Sequence, residues 1–169
     1  MRALILSDSH GLEVELQSIR ERHADVDLYI HCGDSELDKD DAAMKGYKSV
    51  AGNCDWSQYP NTLILPFGDL KIFVTHGHLY NVKMTELNLL YKAEEVGANI
   101  VCFGHTHVAG VEEIKNIITL NPGSIRLPRG RKEPTYAILD WDQPSRTLTV
   151  TFHHVNGQPI DDFSSSYQL

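Results

Sequence analysis

An α/β fold with two packed sheets and helices outside is predicted by three features of this 169-residue chain. Short apolar runs alternate with helical periodicity in the first half. After about residue 108 the runs become strands joined by short turns, with no helix between them. Several apolar runs end directly at a polar motif, as strands of α/β sheets do where they deliver side chains to a ligand site.

The elements follow in order. Ala3 to Leu6 reads as a buried strand. From Gly11 onward Leu12, Leu16 and Ile19 share one helical face, with Glu and Arg opposite. Val26 to Ile30 reads as a second buried strand, so a βαβ unit opens the chain. Glu36 to Gly46 is polar and reads as a short helix or loop, and Ser49 to Ala51 as a brief strand. Thr62 to Pro66 and Leu70 to Thr75 form an expected hairpin around Gly68-Asp69. Met84 to Val96 is an expected amphipathic helix, with Gly97 as its C-terminal cap. Ile100 to Phe103, Val108 to Glu113, Ile117 to Leu120, Tyr136 to Trp141 and Thr147 to His153 read as strands. Phe163 to Leu169 is polar and is expected to fray. Neither repeats nor a linker divide the chain, so residues 1–169 are expected to form one domain.

A net charge of −8 argues against extended nucleic acid as a partner, because phosphate-backbone binding needs a basic face. The local exception is Arg126, Arg129, Arg131 and Lys132, read as a solvated loop. Cys32, Cys54 and Cys102 show no disulfide spacing. Cys32 and Cys102 read as buried thiols, and a reducing cytoplasm is expected. The run Ala3 to Leu6 is too short for a signal peptide core, and no run is long enough for a membrane span.

Five clusters rich in metal-binding side chains each follow an apolar run. They are Asp8-Ser9-His10, Gly33-Asp34, Gly52-Asn53-Cys54-Asp55, His76-Gly77-His78 and Gly104-His105-Thr106-His107. Taken singly, each has a plainer reading: a helix cap for Asp8, a turn for Gly33-Asp34 or Gly52-Asn53, a surface loop for His76-Gly77-His78. Their joint occurrence points to a metal centre. Asp8 and Asp34 supply carboxylates, with Asp34 the expected bridge, Asn53 an amide oxygen, and His10, His76, His105 and His107 imidazoles. This mixture suits Mn²⁺, Fe²⁺, Co²⁺, Ni²⁺ or Zn²⁺ and is too rich in nitrogen for Ca²⁺. Two such ions side by side suit phosphoester hydrolysis.

The pattern D-x-H, G-D, G-N-x-D, H and G-H-x-H resembles the calcineurin-like metallophosphoesterase superfamily, in its small bacterial and archaeal phosphodiesterase branch. The resemblance spans about residues 2–130 and continues weakly into the last strands. It implies a four-layer α/β/β/α sandwich of two mixed sheets flanked by helices. It also implies two divalent ions, manganese foremost. Asp8, His10, Asp34 and His107 would hold one ion; Asp34, Asn53, His76 and His105 would hold the other. Asn121-Pro122-Gly123-Ser124 resembles a turn typical of this branch and is read as a strand-ending turn near the site.

The departure is Cys54, where many members carry a histidine proposed to protonate the leaving group. A thiol is a poor acid for an alkoxide. Cys54 reads as a small buried filler, and His78 is the nearest substitute acid or, equally, a residue that orients its neighbours. The expected reaction is cleavage of a small phosphodiester or nucleotide by a hydroxide shared between two ions. A phosphomonoesterase with the same site and a non-catalytic scaffold of the same fold are the alternatives. Ser35 to Lys48 and Leu79 to Met84 are candidate specificity loops. A homodimer or homotetramer would be compatible with the exposed strands of the second half.

Overall fold

The structure is a computed structural model describing residues 1–56 and 58–169. Its elements are β1 (Arg2–Leu6), α1 (Glu13–Arg22), β2 (Leu28–His31), β3 (Tyr47–Ser49), β4 (Thr62–Phe67), β5 (Leu70–Thr75), α2 (Leu87–Val96), β6 (Ile100–Cys102), β7 (Gly110–Ile114), β8 (Ile117–Asn121), β9 (Thr135–Asp142), β10 (Thr147–His154) and β11 (Ser165–Gln168). One sheet has the order β11-β10-β9-β1-β2-β3 and the other β4-β5-β6-β8-β7.

Strand alternation sorts the apolar side chains into layers. Ala3 and Ile5 of β1 point into the core between the sheets, where they join Ile72 and Val74 of β5 and Leu139 of β9. Leu4 and Leu6 point outward and pack under Leu16 and Ile19 of α1. On the other sheet, Phe73 and Val101 point outward under Leu89, Leu90 and Ala93 of α2. The result is the expected α/β/β/α sandwich of two mixed sheets. Among the described residues no helix is long and apolar enough to cross a membrane.

Both helices begin later than their periodicity suggests. His10 and Gly11 have positive φ, and their N–H groups bond to Asp34 O and Ser35 O, so helical geometry starts only at Glu13. Met84 N–H bonds Asn81 O in a turn, and α2 starts at Leu87, where the Thr85 hydroxyl accepts the amide. Gly97 closes α2 as expected, at φ 65° with its N–H shared between Ala93 O and Glu94 O. Residues 108–109 stay outside β7, because Val108 bridges Arg129 instead.

The tail corrects an expectation. Residues 165–168 do not fray but pair antiparallel with residues 147–150 of β10. Phe163, Tyr167 and Leu169 pack against the inter-sheet core while Ser166 and Gln168 face solvent. Period-two alternation outweighs the polar composition here.

Candidate metal centre

β1, β2 and β3 run parallel in one sheet, and β5, β6 and β8 run parallel in the other. The five clusters leave the carboxyl ends of β1, β2, β3, β5 and β6, which collects them at one edge of the sandwich. Backbone bonds lace neighbouring loops together: Asp8 N–H to Gly33 O at 3.0 Å, His10 N–H to Asp34 O at 3.0 Å and Gly104 N–H to His76 O at 3.1 Å.

Five of the seven expected ligands have left-handed backbone: Asp8, His10, Asp34, His105 and His107, with φ between 43° and 67°. Such φ values are uncommon outside glycine and gather at functional sites. Two glycines permit the close packing around them. A Cβ on Gly52 would collide with the Asp34 carboxylate, and one on Gly104 with Ser7 Oγ and Asp8 Oδ2.

Each buried carboxylate has one oxygen engaged and one turned inward. Asp8 Oδ2 accepts from Ser7 Oγ at 2.6 Å and His105 N–H at 3.2 Å, and Asp34 Oδ1 accepts from Cys54 N–H at 2.8 Å. Asp8 Oδ1 lies 3.0 Å from His107 Nε2 and 3.9 Å from both His10 Nε2 and His76 Nε2. Asp34 Oδ2 lies 3.3 Å from His76 Nε2. Yet Asp8 Oδ1, His10 Nε2 and His76 Nε2 are buried without a hydrogen-bond partner. These atoms converge without bonding one another, as ligands around a shared cation do.

The histidines are oriented from behind. His76 Nδ1 donates to Cys32 O at 2.7 Å, and His107 Nδ1 to Leu127 O at 2.7 Å. His10 Nδ1 faces Glu36 Oε1 at 2.5 Å. A donating Nδ1–H leaves Nε2 with its lone pair facing the centre. Donor atoms of Asp8, His10 and His107 form one group, and those of Asp8, Asp34 and His76 another. The residues therefore fit the expected cations. Asp8 belongs to both of these groups, and Asp34, the bridge expected from the sequence, belongs to one of them.

Charge follows from this crowding. Burial works to raise Asp34, but His76 and the Cys54 amide outweigh it and hold the carboxyl well below its usual range. Burial likewise opposes protonation of His76, but Asp34 and Asp8 outweigh it and raise its pKa. His107 is raised first by Asp8, and His105 is pushed down to about 4 by burial, with His76 and Lys83 adding.

The remaining expected residues sit at the margin. The His105 ring lies 5.1 Å from the His76 ring. His78, in a short 3-10 turn after left-handed Gly77, lies 5.4 Å from His76 and 6.0 Å from His105 by ring centroids. Its pKa is lowered by burial and then by His76. Asn53 is exposed, with its amide on Cys54 Sγ at 3.3 Å. Cys54 is half-buried rather than a buried filler, because its turn is tethered through its own N–H to Asp34. Its thiol is pushed up to about 11 by burial and then by Asp34.

Sequence reasoning missed three supports. The Asp55 carboxylate accepts from the N–H groups of Asp34, Gly52 and Glu36, each at 2.8 Å, and from Ser35 Oγ at 3.0 Å. Its place at the end of the Gly52 cluster was the available signal. Fully buried His31 accepts from Gly33 N–H at 3.1 Å through Nδ1 and donates to Ser9 Oγ at 2.8 Å through Nε2. Ser124 Oγ donates to Asp8 O at 2.7 Å, and Asn121 Nδ2 donates to Gly104 O at 3.0 Å and Thr106 Oγ1 at 2.9 Å. The turn at 121–124 thus pins two ligand loops, a closer role than a strand-ending turn. Arg126 reaches His10 O, so it is not merely a solvated charge.

Comparison with known proteins identifies the family of the chain. Residues 1–144 match the model of the calcineurin-like phosphoesterase superfamily domain. YsnB of Bacillus subtilis, described as a probable metallophosphoesterase, is 50% identical over 171 residues, covering 100% of both chains. The phosphodiesterase YfcE of Escherichia coli is 30% identical over 105 residues, covering 56% of this chain and 52% of its own. A crystal structure from Streptococcus pneumoniae, described as a predicted phosphoesterase, superposes with a TM-score of 0.94 at 34% identity, covering 99% of this chain and 97% of that one.

Proposed function

The chain belongs to the calcineurin-like phosphoesterase superfamily, and from that premise we propose that it is a metal-dependent phosphodiesterase acting on a small phosphodiester or nucleotide. The observation that carries the reading is Asp8 Oδ1, buried, unbonded and facing three imidazole Nε2 atoms. A buried carboxylate oxygen in that setting is costly unless a cation completes it.

Asp8, His10 and His107 would hold one ion and Asp34, Asn53, His76 and His105 the other, with Asp8 or Asp34 shared. Manganese is the first expectation. The ions would supply charge neutralisation for the phosphoryl oxygens and a nucleophile near neutral pH by acidifying water. The chain's own contribution is position. Asp55 and His31 hold the Asp34 and Ser9 loops, and Cys32 O and Leu127 O aim His76 and His107. His78 stands beside His76 and His105, where a lowered pKa keeps it neutral at pH 7, able to hydrogen-bond a phosphoryl oxygen through a ring N–H. Cys54, titrating at about 11, keeps its proton and is a less effective general acid than a group titrating near neutral pH. That favours esters with good leaving groups over esters with poor ones. Three free cysteines fit a cytoplasmic setting.

The test is hydrolysis of bis(p-nitrophenyl) phosphate and p-nitrophenyl phosphate by apo and Mn²⁺-loaded protein. Mn²⁺-dependent turnover with the diester preferred is expected. No turnover with any divalent ion would leave a scaffold, and a monoester preference would leave a phosphomonoesterase.

A further inference from the structure

A cavity of about 410 Å³ lies against the loop that carries His105 and His107, on the α2 side of the second sheet. Thr106, between His105 and His107, lines it, and so does Asn121, which pins that loop. Lys83, whose charge reaches His105, and Arg129, whose N–H donates to His107 O at 2.9 Å, also line it. Phe103 and Val82 give it apolar wall, and Glu86 and Glu112 give it acidic wall. Its volume is within the roughly 300–1,000 Å³ of small-molecule sites.

Glu86 is the unexplained group. Its Oε2 is buried without a hydrogen-bond partner. Burial and the nearby Glu112 raise its carboxyl, against the Thr119 hydroxyl, which lowers it. A buried acceptor beside a second carboxylate is satisfied by a donor nitrogen on a ligand. The neighbouring cations Lys83 and Arg129 suit the phosphate that such a ligand would present to the metals.

We propose that this cavity receives the ester substituent that stays on the phosphoryl group during hydrolysis, and that Glu86 and Glu112 select an amine-bearing heterocycle, the chemistry of an aminated nucleobase. The proposal rests on the phosphodiesterase reading above and extends it to substrate class. Leu79 to Met84, expected as a specificity loop, contributes Val82 and Lys83.

Gly110 provides the blocking substitution. It pairs with Asn121 across β7 and β8, so a side chain there would share the face that lines the cavity. A Cβ built at Gly110 meets nothing within 4 Å. Gly110→Phe, with Gly110→Leu as a milder version, therefore fills the cavity without displacing a metal ligand.

The experiment compares Mn²⁺-loaded full-length protein on three diesters with the same leaving group: the p-nitrophenyl esters of cytidine 5′-phosphate, uridine 5′-phosphate and methyl phosphate. Wild type should favour the cytidine ester over both others by roughly tenfold or more in kcat/KM, the scale of a buried charged hydrogen bond. Gly110→Phe should reduce the cytidine rate about tenfold more than the methyl rate, and Glu86→Gln should bring the cytidine-to-uridine ratio to about one. Equal treatment of the three esters by wild type, or wild-type ratios in both variants, would overturn the proposal. If no ester is cleaved, the phosphodiesterase reading fails by itself. Calorimetric binding of cytidine 5′-phosphate then decides the cavity, supported by roughly tenfold weaker binding to Gly110→Phe and overturned by equal binding.

Discussion

Asp8 Oδ1 and His107 Nε2 stand 3.0 Å apart, yet the oxygen is buried and has no hydrogen-bond partner. His10 Nε2 and His76 Nε2 each lie 3.9 Å from the same oxygen. The account's predictions start from that convergence.

Asp8→Asn and Asp34→Asn separate the two bridging assignments. Loss of the shared carboxylate removes both ions, and loss of the other removes one. The donor grouping favours Asp8 as the shared member. Elemental analysis of both variants after dialysis against Mn²⁺ is expected to find less metal in Asp8→Asn, with activity on the diester down at least about a hundredfold. One ion retained in Asp8→Asn and none in Asp34→Asn would return the bridge to Asp34.

Asp55→Ala strands four donors, three of them the amides of Asp34, Gly52 and Glu36. Urea unfolding should show a loss of about 2–3 kcal/mol, since unmade bonds to a charged acceptor are costly. Metal affinity should fall with it, because Asp34 loses the clamp on its left-handed backbone. Unchanged stability would mean that water replaces the carboxylate without penalty.

Acid should destabilise the metal-free chain through its neutral histidines. Burial pushes His31 down to about 4, and His23 and His153 are lowered first by burial as well. Their folded pKa values lie below the unfolded value of 6.5, so the unfolded chain binds more protons in between. Stability therefore rises with pH from about 4 to 6.5 and is lost on acidification through that window. His153→Gln, on the outer face where His153 stacks on Tyr136, should flatten part of the slope without touching the metal centre. Identical slopes in urea melts of wild type and variant would contradict this.

Cys54→His tests the missing acid. A thiol at about 11 is a weaker general acid than an imidazolium titrating near neutral pH and gives an alkoxide leaving group less assistance. The variant should accelerate esters with alkyl leaving groups by about tenfold or more while changing p-nitrophenyl esters little. No gain at constant metal content would show that proton donation does not limit the reaction.

How far the sequence discloses this molecule depends on the kind of signal. The layers are legible because Ala3, Leu4, Ile5 and Leu6 form an uninterrupted apolar run, the mark of a strand covered on both faces. The candidate ligands stand out in the sequence because their clusters follow apolar runs. The tail is misread because four of its last six residues are polar, while Tyr167 and Leu169 carry the packing at period two. Asp55 and His31 are not legible as supports, since their value lies in backbone amides that only tertiary structure brings to them. The Glu86 cavity is equally hidden, being assembled from α2's approach, β7, β8 and the loop at Arg129.

The most direct test of the central claim is a Mn²⁺ titration of apo protein that follows binding by calorimetry and diester hydrolysis in the same samples. The account predicts two ions per chain, with hydrolysis appearing as the sites fill and lost on chelation. Hydrolysis that survives complete removal of metal, or a chain that binds no ion at Asp8 and its histidines, would contradict it.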